Sequence, residues 1–455
     1  MDLKAKKITV MGLGINQGGV GVAKFLARSG ARVTVTDLKT ETELKDSIEQ
    51  LKDLPITYIL GHHREEDFTH ADMVIRNPAV PDDSPFLKTA EQNKIPIDTD
   101  MGLFFQLCPS KDIIGVTGTK GKSTTSALIA HIFKTAGKDV VLAGNIGISV
   151  LDALEHITPT TTVVLELSSW HLEGLAKHKV SPHTAVITNI LPDHLNRYKD
   201  FAAYAAAKAL ILKFQKPQDI AVLNADSEEV KKLSSQGKTI WYSSSRSHLA
   251  EQGETLPGVH NQANIAAATA VARAHGVDET IIAHAITTFK GLPHRMELIG
   301  KKNGIQFIND SAATNPSATV AALQSLHQPI FLIMGGQDKN LPMDELARVI
   351  ANSPYVQKVL LLTHHAYTAS EKLMRELENL GKESMVVRAE SMEHAVQTAW
   401  HMANSTFGSL TSKRSETSAH SNPLIILSPG AASFGMFINE FDRGNKFKKC
   451  VNAIS

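Results

Sequence analysis

The run IIGVTGTKGKSTTSALIAHIFKTAG, residues 113–137, constrains the fold more than any other part of the chain. IIGVTG reads as a buried strand. STTSALIAHIFKTAG reads as a helix, with the pairs Leu128/Ile132 and Ile129/Phe133 at i,i+4 and Gly137 where a C-terminal cap belongs. Strand, glycine loop and helix in direct succession begin an α/β unit. Such a loop aims several backbone N–H groups at one point, and the helix dipole adds positive potential, so it suits phosphate. The common G-x-x-x-x-G-K-[ST] pattern is not met, because Val116 stands five positions before Gly121. Gly118-x-x-Gly121-Lys122-Ser123 is two residues shorter and keeps the working parts. Gly118 and Gly121 allow close approach, Lys122 brings charge to the β/γ-phosphates, and the Ser123 hydroxyl can ligate Mg²⁺. Thr119, Lys120 and Thr124 complete this candidate phosphate loop.

The flanking regions repeat the α/β alternation. KITVMGL, then GINQGGVGVAKFLARSG, then ARVTVTD (residues 7–37) form a βαβ unit. Gln17 occupies the third glycine position of G-x-G-x-x-G, while Asp37 ends the second strand where a ribose-binding acid belongs, which points to a nucleotide or dinucleotide. MVIRNPAVP (73–81) adds a strand, and IPIDTDMGLFFQLC (95–108) completes the region. Strands are expected at 161–169, 183–190 and 218–226 in the second region, and at 305–309, 329–334, 357–362 and 423–428 in the third. The polar runs 243–258 and 411–422 read as loops. The expectation is three α/β domains with mainly parallel sheets: a Rossmann-like domain (1–108), a P-loop-type ATPase domain (109–298) and a second Rossmann-like domain (299–455).

Composition narrows the function. A chain of 455 residues is too long for one core, and Lys+Arg 47 against Asp+Glu 46 argues against bulk binding of nucleic acid. Cys108 and Cys450 make no metal or disulfide pattern. No stretch approaches about 20 uninterrupted apolar residues, so a cytoplasmic protein without membrane insertion is expected.

Several further residues bear chemistry. Glu166 ends a strand, where α/β ligand sites lie, and suits a hard cation. Asp193 and His194 sit on a loop after another strand. Lys208, in YAAAKALIL, reads from spacing alone as a snorkelling lysine. Asn261 and Asn264, near a helix start, either read an adenine or ribose or cap the helix. Arg295 in GLPHRME is a phosphate-clamp candidate, and Asp310 follows a strand. His62, His63, His364 and His365 read as surface residues.

Taken in order, TGTKGKST, ELSSWHLE, DHLNRY, YAAAK, GVHNQANIAAA, GLPHRME and INDSAATNP resemble the Mur ligases, the ATP-dependent amino-acid ligases of peptidoglycan precursor synthesis. LELSSWHLE, GLPHRME and LSPGAASFGMF…FDRG are most similar to the family's glutamate-adding branch. The resemblance covers essentially the whole chain. It implies that the short loop is the family's own phosphate loop. It further implies Lys122 and Ser123 on the ATP phosphates and Mg²⁺, Glu166 as a metal ligand, His194 on a second Mg²⁺, and Lys208 carbamylated into a carboxylate-like ligand. Lys122, His194 and Lys208 would carry the catalysis, and Asn261, Asn264, Arg295 and Asp310 would surround ATP. Gly14, Ile15, Asn16, Asp37, Asn77 and Asn145 would bind the UDP-sugar substrate, UDP-N-acetylmuramoyl-L-alanine. Thr314, Lys339 and Ser433 would bind the incoming glutamate. A monomer is expected.

The chain departs from the family at Ala312, where the glutamate-adding branch has lysine, at Asn77-Pro78-Ala79 in place of S-P-G, and in the register of Phe437 and Phe441. D-glutamate is the default implied, with L-glutamate or another amino acid as the alternative; Lys339 favours an acidic side chain. Two readings from other classes compete. An NAD(P)-dependent oxidoreductase rests on GLGINQGG and Asp37 alone, and a non-enzymatic ATP switch rests on the phosphate loop alone. A folylpolyglutamate synthase would share the ATP core but not the UDP-type N-terminal domain.

Overall fold

The computed structural model describes residues 1–14, 18–146, 149–193, 197–246, 259–338, 341–364, 368–411 and 422–454. Its first sheet holds β1 (Lys7–Met11), β2 (Arg32–Asp37), β3 (Ile56–Leu60), β4 (Met73–Arg76) and β5 (Ile97–Asp98) in the order β3-β2-β1-β4-β5, every pair parallel. The second holds β6 (Ile113–Thr117), β7 (Val140–Gly144), β8 (Thr162–Glu166), β9 (Thr184–Ile187), β10 (Ile220–Asn224) and β11 (Lys238–Tyr242) in the order β11-β10-β9-β6-β8-β7, again all parallel. Parallel strands covered by helices on both faces are apolar throughout, and β6 and β8 are buried along their whole lengths.

These two sheets belong to one compact unit ending at Phe289. A single apolar cluster runs between them: Met101, Leu103 and Phe104 of the helix Asp100–Leu107 join Leu151, Leu172 and Leu175 of the second region. Glycine makes that approach possible, since a Cβ on Gly102 would stand 2.0 Å from Asp98 Oδ1 and 2.5 Å from His178 Nε2.

The second unit begins at Lys290. Its sheet holds β12 (Glu297–Lys302), β13 (Ile305–Asn309), β14 (Ile330–Met334), β15 (Val356–Leu362), β16 (Val386–Ala389) and β17 (Leu424–Leu427), ordered β12-β13-β17-β14-β15-β16. Only the edge pair β12/β13 is antiparallel, so this sheet is mixed. The three-domain α/β expectation holds. The strand expected over 73–81 stops at Arg76, because Pro78 cannot continue a ladder and restrains Asn77. His63 is a correction: it is half-buried, its Nδ1 lies 2.7 Å from Thr36 Oγ1, and its ring packs edge-on against Phe86. Loop expectations at 247–258 and 412–421, and His365, lie outside the described residues.

Candidate active site

In the first unit the phosphate-type loop, Glu166 and Asn145 stand at the C-terminal ends of three neighbouring strands, β6, β8 and β7, where open α/β sheets place their ligands. Gly118 follows β6 with φ +150°, and a Cβ there would lie 1.9 Å from Thr188 Oγ1. Gly121, in the left-handed region at φ +83°, precedes the helix Lys122–Thr135; a Cβ on it would meet Asn264 Oδ1 at 2.3 Å. Both positions therefore require glycine for conformation and for space. The loop is held from outside. Thr119 N–H donates to Asn189 O at 2.9 Å and Lys120 N–H to Asn189 Oδ1 at 2.9 Å, while Thr188 Oγ1 donates to Lys120 O at 2.6 Å. Lys122 Nζ folds onto the loop's own carbonyls, Gly118 O at 3.0 Å and Thr119 O at 3.1 Å, and Ser123 is buried at the helix start beside the partly buried Thr124.

Lys208 does not snorkel. The helix Phe201–Lys213, capped by the Asp200 side chain, turns it inward until it is 2% exposed. Its Nζ donates to Gly118 O at 2.8 Å and lies 4.7 Å from the centroid of the Tyr204 ring. Burial, with Lys122 nearby, pushes the ammonium down to about 7, against the opposing pull of Asp193 and Glu166. A fraction of the amine is thus neutral, and nucleophilic, near neutral pH.

Glu166 ends β8 and is buried. Asn145, just beyond β7, donates its backbone N–H to Glu166 O at 3.0 Å and its Nδ2 to Glu166 Oε1 at 2.9 Å. Glu166 Oε2 is buried and has no hydrogen-bond partner among the described residues. An uncompensated buried carboxylate oxygen beside a phosphate-type loop suits a hard cation. No three carboxylate, imidazole or thiol side chains converge among the described residues. Ser123 Oγ and Glu166 offer oxygen donors that fit a hard cation. His194 lies outside the described residues, and Asp193 before it is partly buried.

Asn261 and Asn264 are buried inside the first turns of the helix Val259–Ala274: Asn264 Nδ2 donates to Asn261 Oδ1 at 3.1 Å, and Thr125 Oγ1 donates to Asn264 Oδ1 at 3.2 Å. At the ends of β1, β2 and β4, Gly14 N–H donates to Asp37 Oδ2 at 3.0 Å and Asn77 Nδ2 to Gly12 O at 3.3 Å. Ile15 and Asn16 lie outside the described residues. Ser47, which the sequence did not suggest, donates to Gly14 O at 2.8 Å.

In the second unit, Arg295 sits between two residues in the left-handed region, His294 (φ +65°) and Met296 (φ +43°). Met296 N–H donates to Asp310 Oδ1 at 3.2 Å, and Ser428 Oγ to Asp310 Oδ2 at 2.8 Å. Burial pushes the Asp310 carboxyl up to about 6 despite both donors and nearby Arg295. Thr314 is partly buried after β13 and Ser433 is buried after β17, while Lys339 lies outside the described residues. Ser428 was not singled out by sequence, although it opens the quoted SPGAAS segment.

The chain is similar to known proteins. Three family patterns match in order: the Mur ligase MurD-like N-terminal domain over residues 6–98, the Mur ligase middle domain over 116–272, and the Mur ligase glutamate ligase domain over 294–409. The UDP-N-acetylmuramoylalanine–D-glutamate ligase of Roseiflexus sp. (strain RS-1) is 41% identical, with 100% of each chain covered. The enzyme of the same name from Acetivibrio thermocellus is 36% identical over 99% of this chain and 97% of its own. Among solved structures, the UDP-N-acetylmuramate-alanine ligase of Thermotoga maritima superposes with a TM-score of 0.60 at 22% identity, covering 98% of this chain and 99% of the other. A folylpolyglutamate synthase of Mycobacterium tuberculosis complexed with ADP superposes with a TM-score of 0.57 at 15% identity, covering 76% of this chain and 93% of the other; at these identities both structures speak for the fold alone. On the matched domains and the full-length relatives, this chain belongs to the Mur ligase family.

Proposed function

We propose that this Mur ligase joins D-glutamate to UDP-N-acetylmuramoyl-L-alanine at the expense of ATP, in cytoplasmic peptidoglycan precursor synthesis. Residues 1–108, 109–298 and 299–455 would carry the UDP-sugar, ATP and amino-acid functions in turn, in a monomer. The observation that carries the reading is the buried Lys208 amine 2.8 Å from Gly118 O of the phosphate-type loop, with Glu166 on the neighbouring strand end, whose Oε2 has no hydrogen-bond partner among the described residues. The full-length relatives named for this reaction supply the amino acid's identity and handedness.

The alanine carboxylate attacks the γ-phosphorus of ATP, the bond to the β-phosphate oxygen breaks, and ADP leaves. The amine of glutamate then attacks the acyl carbon, phosphate departs, and the amine loses a proton as the amide forms. Loop N–H groups from Gly121 to Ser123 and the Lys122 ammonium would bear the charge that spreads over the transferring group. Asn261, Asn264, Arg295 and Asp310 would hold the nucleotide. Gly14, Ile15, Asn16, Asp37, Asn77 and Asn145 would orient the UDP-sugar, and Thr314, Lys339 and Ser433 the glutamate. Ser123, Glu166, His194 and carbamylated Lys208 would hold Mg²⁺, which supplies charge neutralisation between the phosphates. The carbamate forms when the neutral Lys208 amine adds to CO₂, making an N–C bond and releasing one proton.

Incubation with ATP, Mg²⁺, UDP-N-acetylmuramoyl-L-alanine and radiolabelled D-glutamate tests this. Label appearing in a UDP-containing product, in step with ADP, is expected. ADP formation without labelled product would overturn it.

A further inference from the structure

The helix Glu440–Asn452, EFDRGNKFKKCVN, is rich in charged residues, yet its Arg443 is 0% exposed. The guanidinium spends its donors on three separate loops. Nε donates to Ser311 Oγ at 3.0 Å and Nη2 to Ser311 O at 2.9 Å. Nη1 donates to Ala431 O at 3.1 Å and, at the longer distance of 3.5 Å, to Gly335 O. Ser311, Gly335 and Ala431 lie just beyond the C-terminal ends of β13, β14 and β17, which are neighbours in the sheet.

The tie is closed on both sides. Ser311 Oγ donates to Glu440 O at 2.7 Å, returning to the helix that carries Arg443. Gln337 and Ala432 exchange backbone hydrogen bonds at 3.0 and 3.2 Å, joining the second loop to the third. Gly444, next along the helix, admits the His294 ring, whose Nδ1 would stand 2.1 Å from a Cβ there. A buried guanidinium is costly to desolvate, and its five donors in a rigid plane are suited to fixing several acceptors at set angles. An ammonium, with three donors on a flexible stem, does not reproduce that geometry.

We propose that Arg443 is a positioning residue for the amino-acid pocket, setting the loops 311–314 and 431–433 so that Thr314 and Ser433 face the incoming amino acid together. This rests on the reading above, in which those two residues bind glutamate.

The test compares wild type, Arg443→Lys, Ser311→Ala and Phe447→Leu, the last a buried core change on the same helix. Amide hydrogen exchange of the free protein comes first and does not depend on the substrate. Faster exchange in 311–314, 335–338 and 431–433 together is expected in Arg443→Lys, with Phe447→Leu leaving that set unmoved. Steady-state kinetics follow. KM for D-glutamate should rise about tenfold or more in Arg443→Lys and about threefold in Ser311→Ala, while KM for ATP stays within about twofold. Unchanged exchange in the three loops, or equal rises of both KM values, overturns the proposal. If Arg443→Lys fails to fold, Ser311→Ala decides by the same criteria. A wild type that makes no amide from D-glutamate refutes the functional reading instead, and the exchange result still judges the tie.

Discussion

Asn145 Nδ2 donates to Glu166 Oε1 at 2.9 Å, so one oxygen of this buried carboxylate is satisfied and the other, Oε2, has no partner among the described residues. The strand ends that carry the two residues are adjacent in the sheet, and a second bond, Asn145 N–H to Glu166 O, locks them in register. A carboxylate held this way is fixed for a ligand and poorly compensated without one.

Glu166→Gln should therefore separate activity from stability. Removing a buried charge with an unpartnered oxygen relieves desolvation, so the thermal midpoint should hold or rise. Amide formation should fall by about 10²–10³-fold, as for loss of one charge-stabilising group at a transition state. Parallel thermal melts and ADP assays check this; a drop in both would mean that Glu166 mainly supports the fold.

Lys208 gives a dependence on CO₂ and pH. With the ammonium pushed down to about 7, more of the amine is neutral above that pH and most is protonated below it. Enzyme stripped of CO₂ should regain activity on adding bicarbonate, faster at about pH 8 than at about pH 6. A carbamate signal in carbon-13 NMR should accompany the recovery and be absent from Lys208→Ala. Full activity in CO₂-free buffer would refute carbamylation.

A methyl group should be punished in the phosphate-type loop far more than beyond the end of the helix Lys122–Thr135 that follows it. Gly118→Ala places a Cβ 1.9 Å from Thr188 Oγ1, whereas Gly137→Ala, at φ +72°, meets nothing within 4 Å. The second costs only left-handed strain, about 1–2 kcal/mol. The first adds overpacking of a further 1–3 kcal/mol, roughly, and should displace the loop. Denaturation midpoints and ATP affinity check the ordering: Gly137→Ala should keep ATP binding and Gly118→Ala should lose it.

Asp310 ties the stability of the second unit to pH in the mildly acidic range, where rising pH costs stability. Its folded value of about 6 lies above the ordinary 3.8, so between about pH 4 and 6 the folded state keeps a proton that the unfolded state has lost. Its contribution is most favourable below that window and is lost as pH rises through it. Asp310→Asn should gain on wild type across the window, by roughly 2–3 kcal/mol. Urea midpoints at several pH values measure the difference, and a constant offset would contradict the assignment.

Much of this was legible in local pattern. The strand–loop–helix around Gly118, the strand that ends at Glu166 and the βαβ unit ending at Asp37 are set by contiguous residues, and they appear where periodicity puts them. The strands β3, β7, β11, β12 and β16 did not stand out. All five are sheet edges, and strands such as ELIGKK carry mixed polarity because one side faces solvent. Lys208 and Arg443 were illegible from spacing for a different reason. Each is a cation whose burial is decided by acceptors far away in sequence, Gly118 O for one and Ser311 for the other. For Lys208 only the family resemblance suggested an inward role.

The central claim is most directly tested by phosphate release from purified protein with ATP, Mg²⁺ and UDP-N-acetylmuramoyl-L-alanine, comparing D-glutamate with L-glutamate. Release that depends on D-glutamate is the predicted result, and it would make Ala312 a tolerated replacement for the family's lysine. Release with L-glutamate alone, or with neither, would contradict the account.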